Sequence, residues 1–125
     1  MGDWKGHGIE CLAIVAVKCD MHKVEQVEKL EKRQEMYIRK YAKAHRIKIV
    51  GVLHGKGQGQ SEINKKFLWA VEMVRKGKVQ GIIAVNMRIF SADLEDVYRK
   101  VGKVRAAGGE MITVDEGRLR LNIWK

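Results

Sequence analysis

The chain has 125 residues and a formal net charge of +10, a length that supplies the core of one domain. Apolar residues make up 46% and charged residues 32%, which is typical of a globular fold and excludes a disordered chain. The surplus of Lys and Arg favours a polyanionic partner, either nucleic acid or an anionic membrane face. No window reaches the roughly 18 apolar residues of a membrane span, and the N-terminus has no signal-peptide pattern. We therefore expect a single domain over residues 1–125, cytoplasmic and without a membrane partner.

The first part of the chain alternates between two hydrophobic periods. Residues 11–17 form a continuous apolar run, which predicts a strand buried on both faces. Residues 22–45 are rich in helix-forming Glu, Lys, Gln and Ala, and they predict a long helix. The side chains expected on its packing face are Val27, Leu30, Tyr37, Ile38, Tyr41 and His45. Residues 47–53, in which β-branched residues dominate, predict a second strand.

A glycine-rich segment separates this strand from a second predicted helix. Residues 54–61 predict a loop, because three glycines within five residues cost too much backbone entropy inside a regular element. We expect either a mobile surface loop or a flexible arm that closes on a phosphate backbone, with Lys56 supplying charge. Ser61 is the predicted N-cap of the helix, and Gly77 is its predicted end. The apolar stripe of that helix comprises Ile63, Phe67, Ala70, Val71 and Val74.

The same alternation continues to the end of the chain. Residues 79–85 predict a third strand, and a loop separates it from a third helix that Ser91 is expected to cap. Residues 110–114 predict a fourth strand, and the period-two pattern of residues 118–124 predicts an edge strand. Strand–helix–strand units of this kind build a three-layer α/β fold. We therefore expect a mostly parallel sheet of four to five strands with helices on both faces.

Functional residues of such sheets gather in the loops beyond the carboxyl ends of the strands. Those loops begin here at Lys18, His54, Asn86 and Asp115. Cys19 follows the first strand, where Lys18 and the start of a helix can activate its thiol as a nucleophile. The alternative is an inert, half-buried thiol.

Metal and cofactor sites are not predicted. The four histidines show no paired spacing, and Cys11 and Cys19 lie eight residues apart, so neither zinc binding nor a disulfide framework is indicated. The glycine-rich loop carries neither of the phosphate-binding fingerprints of nucleotide-binding folds. A small-molecule-binding domain of the flavodoxin type has the right order of layers but lacks a phosphate fingerprint, and it stays as an alternative.

Basic residues cluster at the end of the first helix, around the second helix and on the third. Solvated helix faces explain much of this clustering, but the surplus of positive charge also favours salt-dependent binding to phosphate. The residues predicted to bind nucleic acid are Lys18, Arg39, Lys43, Lys56, Lys65 and Lys66.

Several local patterns then occur in a familiar order. They are the strand 13–19, Gln34 in the first helix, the glycine-rich loop 55–61, the strand 81–85 and the loop 87–91. In this order and spacing the chain resembles the N-terminal catalytic domain of the serine recombinases, the resolvase/invertase family. The resemblance covers roughly residues 11–118 and implies the fold of that domain, with DNA as the partner.

The departures from the family pattern concern the reacting groups. Family members attack a DNA phosphate with a serine while arginines stabilise the charged transition state, and the resemblance places Cys19 at the serine position. Val17 and Asn64 stand where the resemblance implies arginines, whereas Arg88 matches a retained arginine. Each lost donor of this kind costs about 3–4 kcal/mol of barrier. If strand exchange persists, Cys19 is the expected nucleophile and Arg88 the expected phosphate stabiliser.

The resemblance therefore implies a domain associated with DNA binding and recombination whose catalysis is impaired. We expect neither the long dimer-forming helix nor the C-terminal DNA-binding domain of the family. One alternative is a regulatory or assembly protein that binds an active recombinase or self-associates, with Trp69 and Trp124 as anchors. Another is a non-specific nucleic-acid-binding module that holds DNA and RNA alike.

Overall fold

The structure is a computed structural model, and it describes residues 8–17 and 24–119. Strands and helices alternate through these residues as the hydrophobic periods predict. The strands are β1 (Ile9–Val15), β2 (Ile47–His54), β3 (Gly81–Ala84), β4 (Glu110–Thr113) and β5 (Gly117–Leu119). The helices are α1 (Val24–Ala44), α2 (Gln60–Arg75) and α3 (Leu94–Ala106), with a short 3-10 turn at Met87–Ile89. Within the described part of the chain, no helix has the length and apolar character needed to cross a lipid bilayer.

The five strands form one sheet in the order β2-β1-β3-β4-β5. β1 to β4 run parallel to their neighbours, and β5 returns antiparallel to β4. This arrangement confirms the predicted α/β class with a mostly parallel sheet. β1 lies between β2 and β3, so the direction in which successive strands are added reverses at β1.

Each face of the sheet has its own apolar core. On one face, Leu12 and Ile14 of β1 pack with Phe67 of α2 and Val104 of α3. On the other face, Cys11, Ala13 and Val15 of β1 pack against Ile38 and Ala42 of α1. The alternation arises because successive side chains of a strand point to opposite faces of the sheet. An apolar run such as that of β1 is therefore covered on both sides.

Several predicted boundaries and caps were wrong. β1 spans Ile9–Val15 and not residues 11–17, and Cys19 lies outside the described residues. α2 begins at Gln60 and its N-cap is Gly59, not Ser61, because the φ of 95° at this position favours glycine. Asp93, not Ser91, is the N-cap of α3, and the hydroxyl of Ser91 instead accepts a hydrogen bond from the Asp93 N–H.

The packing face of α1 also differs from the predicted stripe. Val27, Ile38 and Ala42 are buried, but Tyr37 and His45 are exposed. The predicted edge strand is seen as β5, and residues 120–125, including Trp124, lie outside the described residues.

Candidate functional site

The candidate site lies at the edge of the sheet where the parallel strands β1, β2 and β3 reach their carboxyl ends; we call it the carboxyl edge. Val15 and His54, the last residues of β1 and β2, are partners in the strand register. Because the strand order reverses at β1, this edge is also where ligands bind in related open sheets. The three segments that follow these strands determine which side chains are displayed there.

The first of these segments is held by Gln34 of α1. The side-chain oxygen of Gln34 accepts a hydrogen bond from the Ala16 N–H at 3.0 Å. Its side-chain NH₂ donates to the Ala16 carbonyl oxygen at 2.8 Å. Both main-chain groups of the residue that follows β1 are thus satisfied by one side chain, which fixes their orientation. Lys18 and Cys19 lie outside the described residues.

The second segment is held by Glu31, which is only 2% exposed. Its Oε1 lies 3.2 Å from Nδ1 of His54, and its Oε2 accepts a hydrogen bond from the Lys56 N–H at 2.7 Å. Burying a carboxylate is costly unless it is hydrogen-bonded, and these two partners meet that need. Sequence reasoning missed both Glu31 and the role of His54. The sequence signal that could have identified Glu31 is its position four residues after Val27, which places a charged side chain on the face of α1 that packs against the sheet.

The loop that follows β2 is tied to the rest of the molecule at its start. The Gly55 N–H donates to the Val15 carbonyl oxygen at 2.8 Å, and a Cβ at Gly55 would lie 2.8 Å from that of Ala16. Lys56 has a φ of 56°, a left-handed conformation that is uncommon for a residue other than glycine. The ammonium group of Lys66 donates to the His54 carbonyl oxygen. The predicted loop is therefore present, but it is limited to residues 55–59.

The third segment, after β3, carries Arg88 on the 3-10 turn, where its side chain is exposed. The side-chain NH₂ of Asn86 lies 3.2 Å from a carboxylate oxygen of Asp115. The side-chain NH₂ of Gln60 donates to the Phe90 carbonyl oxygen and so joins the start of α2 to this turn. Arg88 is thus displayed from the same edge of the sheet as Lys56.

The basic residues predicted from the sequence do not all lie together. Lys56 and Lys66 are at the carboxyl edge, and Lys65 lies on the first turns of α2, 3.4 Å from Glu62. Arg39 and Lys43 lie on the last two turns of α1, which lead to the amino end of β2.

These basic side chains also differ in whether they form ion pairs. Arg39 is paired with Glu35 at 2.9 Å. By contrast, Lys43, Lys56 and Arg88 are exposed and form no ion pair with the residues that the structure describes. The structure therefore displays predicted phosphate contacts in two separate places.

A cavity of about 780 Å³ adjoins the carboxyl edge. The first half of α1 forms one wall, and His54 and Lys56 contribute from the loop side. Lys29 and Lys32 also line it, as do the carboxylates of Glu25, Glu28, Glu31 and Glu35. This volume is within the range of small-molecule and nucleotide sites.

Neither a metal cluster nor a reactive thiol is found in the described ranges 8–17 and 24–119. These residues contain no group of three or more His, Cys, Asp or Glu placed to hold a metal ion. Cys11 is a free thiol, and burial raises its pKa to about 12. The reactive species of cysteine is the thiolate, so this side chain is not a nucleophile at neutral pH.

No family model and no curated protein sequence matches this chain. Several solved structures, by contrast, are similar to this chain. A resolvase family site-specific recombinase from Streptococcus pneumoniae is 18% identical with a TM-score of 0.69, covering 87% of this chain and 74% of that one. The C-terminal catalytic domain of ISC1926 TnpA, an IS607-like serine recombinase, is 19% identical with a TM-score of 0.63, covering 85% and 70%.

A third similar structure is the N-terminal catalytic domain of TP901-1 integrase, with 10% identity and a TM-score of 0.64, covering 86% of this chain and 78% of that one. At these identities the likeness establishes the fold. The resemblance seen in the order of the sequence motifs is thereby confirmed at the level of structure. This chain has the serine-recombinase-like fold of the resolvase catalytic domain.

Proposed function

We propose that this chain is a DNA-binding domain of the serine-recombinase type whose capacity for strand transfer is impaired. The observation that carries the proposal is the display of Lys56 and Arg88, both exposed, at the carboxyl edge of a recombinase-like sheet. A net charge of +10 adds long-range attraction for the phosphate backbone.

The ion-paired lysines and arginines belong to the same proposal. Surface ion pairs contribute only about 0–1 kcal/mol, so a phosphate can replace Glu35 beside Arg39 or Glu62 beside Lys65 at little cost. Lys43 extends the contact on the last turn of α1. Lys18 and Lys66 complete the proposed set, although Lys66 must first release the His54 carbonyl oxygen.

The impairment follows from the residues that replace the expected phosphate-stabilising cations. Val17 and Asn64 carry no charge, so two donors to a developing phosphorane are missing. At about 3–4 kcal/mol each, their loss removes most of the rate of a reaction that depends on electrostatic stabilisation. Arg88 and the thiol of Cys19 are the groups that would carry any remaining strand transfer.

Titration of a DNA duplex at several salt concentrations tests the binding. We expect affinity to fall steeply with salt, and Lys56→Gln and Arg88→Gln each to reduce the slope of log K against log[salt] by about one. Lys103→Gln removes the same charge from the last turn of α3, away from the carboxyl edge, and serves as the matched control. Absence of salt-dependent binding in the wild-type chain refutes the proposal.

A cleavage assay on supercoiled DNA tests the impairment. We expect neither strand breaks nor a covalent adduct between protein and DNA. If an adduct forms in the wild-type chain and is lost in Cys19→Ala, strand transfer is intact and this part of the proposal is wrong. Cys11→Ala is the control, because the Cys11 thiol is fully buried.

A second candidate function is supported by two adjacent apolar side chains. Leu68 and Trp69 on α2 are 52% and 50% exposed. Exposed aromatic residues of this kind anchor protein interfaces, which favours a regulatory or assembly partner. Binding to a purified full-length serine recombinase in the absence of DNA, weakened in Trp69→Ala, supports this alternative. Equal binding by the variant rejects Trp69 as an anchor.

A further inference from the structure

His54 is held by a buried carboxylate through only one of its two ring nitrogens. Nδ1 lies 3.2 Å from Oε1 of Glu31, whose side chain is 3% exposed, whereas that of His54 is 37% exposed. A carboxylate in this position fixes the imidazole tautomer with the proton on Nδ1, which leaves a lone pair on Nε2. His54 lines the cavity beside the carboxyl edge. The pair therefore has the arrangement of an oriented general base.

The main chain around this imidazole is fixed from three sides. The same carboxylate accepts the Lys56 N–H at 2.7 Å, the Gly55 N–H bonds to the Val15 carbonyl oxygen, and Lys66 bonds to the His54 carbonyl oxygen. The side chain of Lys56 thus extends from the same turn as that of His54, and both residues line the cavity. An oriented base beside a cation is the combination that phosphoryl transfer requires.

The charges of the cavity balance one another in number. Glu31 is hydrogen-bonded to the His54 imidazole and to the main-chain N–H of Lys56, and Glu35 is paired with Arg39 at 2.9 Å. The two remaining carboxylates, of Glu25 and Glu28, share the wall with the ammonium groups of Lys29 and Lys32. The four carboxylates are thus matched in number by the cations of Lys29, Lys32, Lys56 and Arg39, so that a phosphate meets no net negative charge there.

We infer that His54 and Lys56 cleave single-stranded RNA by transesterification, with Glu31 as the residue that positions the imidazole. RNA is the fitting substrate because its 2′-hydroxyl supplies a nucleophile next to each phosphate, so one base suffices to start the reaction. Nε2 takes the proton of that hydroxyl while the 2′-oxygen bonds to phosphorus. The bond from phosphorus to the 5′-oxygen breaks, and this oxygen takes the proton from the imidazolium. Lys56 stabilises the charge on the phosphorane.

This activity goes beyond the proposed function and shares with it Lys56 and the attraction of a basic surface for phosphate. It uses neither Cys19 nor Arg88. Its products are a 2′,3′-cyclic phosphate and a 5′-hydroxyl, and no further reactant is consumed. DNA, which lacks the 2′-hydroxyl, is expected to bind without being cut.

The test uses an oligodeoxynucleotide that contains a single ribonucleotide, with the all-DNA oligonucleotide as control and a chelator in the buffer. We expect cleavage only on the 3′ side of the ribonucleotide, leaving a cyclic phosphate. His54→Gln should lower kcat/KM by about 100-fold or more, the usual contribution of general base catalysis. His45→Gln is the matched control, because His45 is exposed and stacks on Tyr41.

Three further variants separate chemistry from folding. His54→Gly should regain cleavage when free imidazole is added, which a role of His54 in stability alone does not explain. Glu31→Gln should lower kcat with little change in KM, and Glu31→Asp should recover part of that loss. DNA binding is measured on the same preparations by titration with salt.

Cleavage and DNA binding can fail independently. If the wild-type chain leaves the ribonucleotide intact, or if His54→Gln cleaves as fast as the wild type, the inference is wrong. Binding to DNA in the same samples then shows that the proposed function stands without it. Cleavage of the single-stranded substrate by a wild-type chain that does not bind duplex DNA would instead support the inference and reject the proposed function.

Discussion

The two faces of the sheet are covered in different ways. Phe67, Phe90 and Val104 fill the face under α2 and α3, and the ring centroids of the two phenylalanines are 5.0 Å apart. The face under α1 is also apolar at its centre, but Glu31 and Gln34 extend from the helix to main-chain atoms beyond β1 and β2. The layer of α2 and α3 is thus mainly packing and adds bonds from Gln60 and Lys66 near the start of α2, whereas α1 orients the segments after β1 and β2 through the buried Glu31 and the half-buried Gln34.

This difference predicts that substitutions in the two helix layers have different effects. Apolar burial stabilises the fold without specifying which way a loop leaves a strand, because it is not directional. Hydrogen bonds from a rigid helix to two loop starts do specify that direction. Substitutions under α2 and α3 should therefore act on stability, and those on α1 should act mainly on the carboxyl edge.

The largest expected effect is that of Phe67→Ala. Phe67 is 1% exposed, and removing a buried aromatic side chain costs about 3–5 kcal/mol of unfolding free energy because of lost transfer energy and the cavity left behind. Urea denaturation measures this change. Trp69→Ala on the same helix should cost much less, since half of that side chain is exposed. Equal costs would contradict the packing role of this face.

Glu31→Ala should come next, at about 1–3 kcal/mol, because the Lys56 N–H and the His54 ring lose their acceptor in a buried place. Glu28→Ala, an exposed change on the same helix, is the control. Amide hydrogen exchange should show faster opening at Lys56 in the variant. Unchanged exchange at that amide would show that Glu31 does not hold the loop.

Gln34→Ala should cost about 0.5–1.5 kcal/mol for each of its two hydrogen bonds to Ala16. The loss should be local, with faster hydrogen exchange at the Ala16 amide and little change in the core under α2. Arg33→Ala is the exposed neighbouring control. A uniform increase in exchange across both faces would remove the distinction between the two layers.

The smallest effect concerns an ionised pair at the rim of the apolar face. Hydrogen bonds from Lys100 and Ser91 hold the pKa of Asp96 below its ordinary range. A lowered carboxyl pKa contributes stability that is complete above its unfolded value and is lost as the pH falls through the folded value.

Asp96→Asn should therefore lower the Tm slightly at neutral pH, and the difference from wild type should vanish in strong acid. Thermal melts at several pH values measure it, with Glu116→Gln as the control, since that residue is exposed and lies outside the helices. A difference that grows in acid would mean that Asp96 is not stabilised as a carboxylate. Lys100, the partner of Asp96, is 8% exposed, and its ammonium nitrogen lies 6.0 Å from the ring centroid of Phe67 in the apolar core.

Much of the fold was predictable because it depends on local patterns. Local patterns such as the apolar run of β1 and the glycine-rich segment after β2 predicted the order of strands, helices and loops. That order is compatible with few sheet topologies. The caps were less predictable. Ser61 and Ser91 both fit the usual N-cap pattern, yet the N-caps are Gly59, whose φ of 95° favours glycine, and Asp93, whose N–H donates to the Ser91 hydroxyl.

The sequence by itself determined the α/β class, the net positive charge and the loops in which candidate functional residues are predicted, since hydrophobic period, charge and glycine content are properties of the chain. Only the tertiary structure decided that Glu31 meets His54 and Lys56, and that Lys43 lies apart from Arg88. The physical reason is that the hydrogen-bond partners of the buried Glu31 carboxylate lie about 25 positions away in the sequence. Local sequence patterns do not encode a contact of that separation.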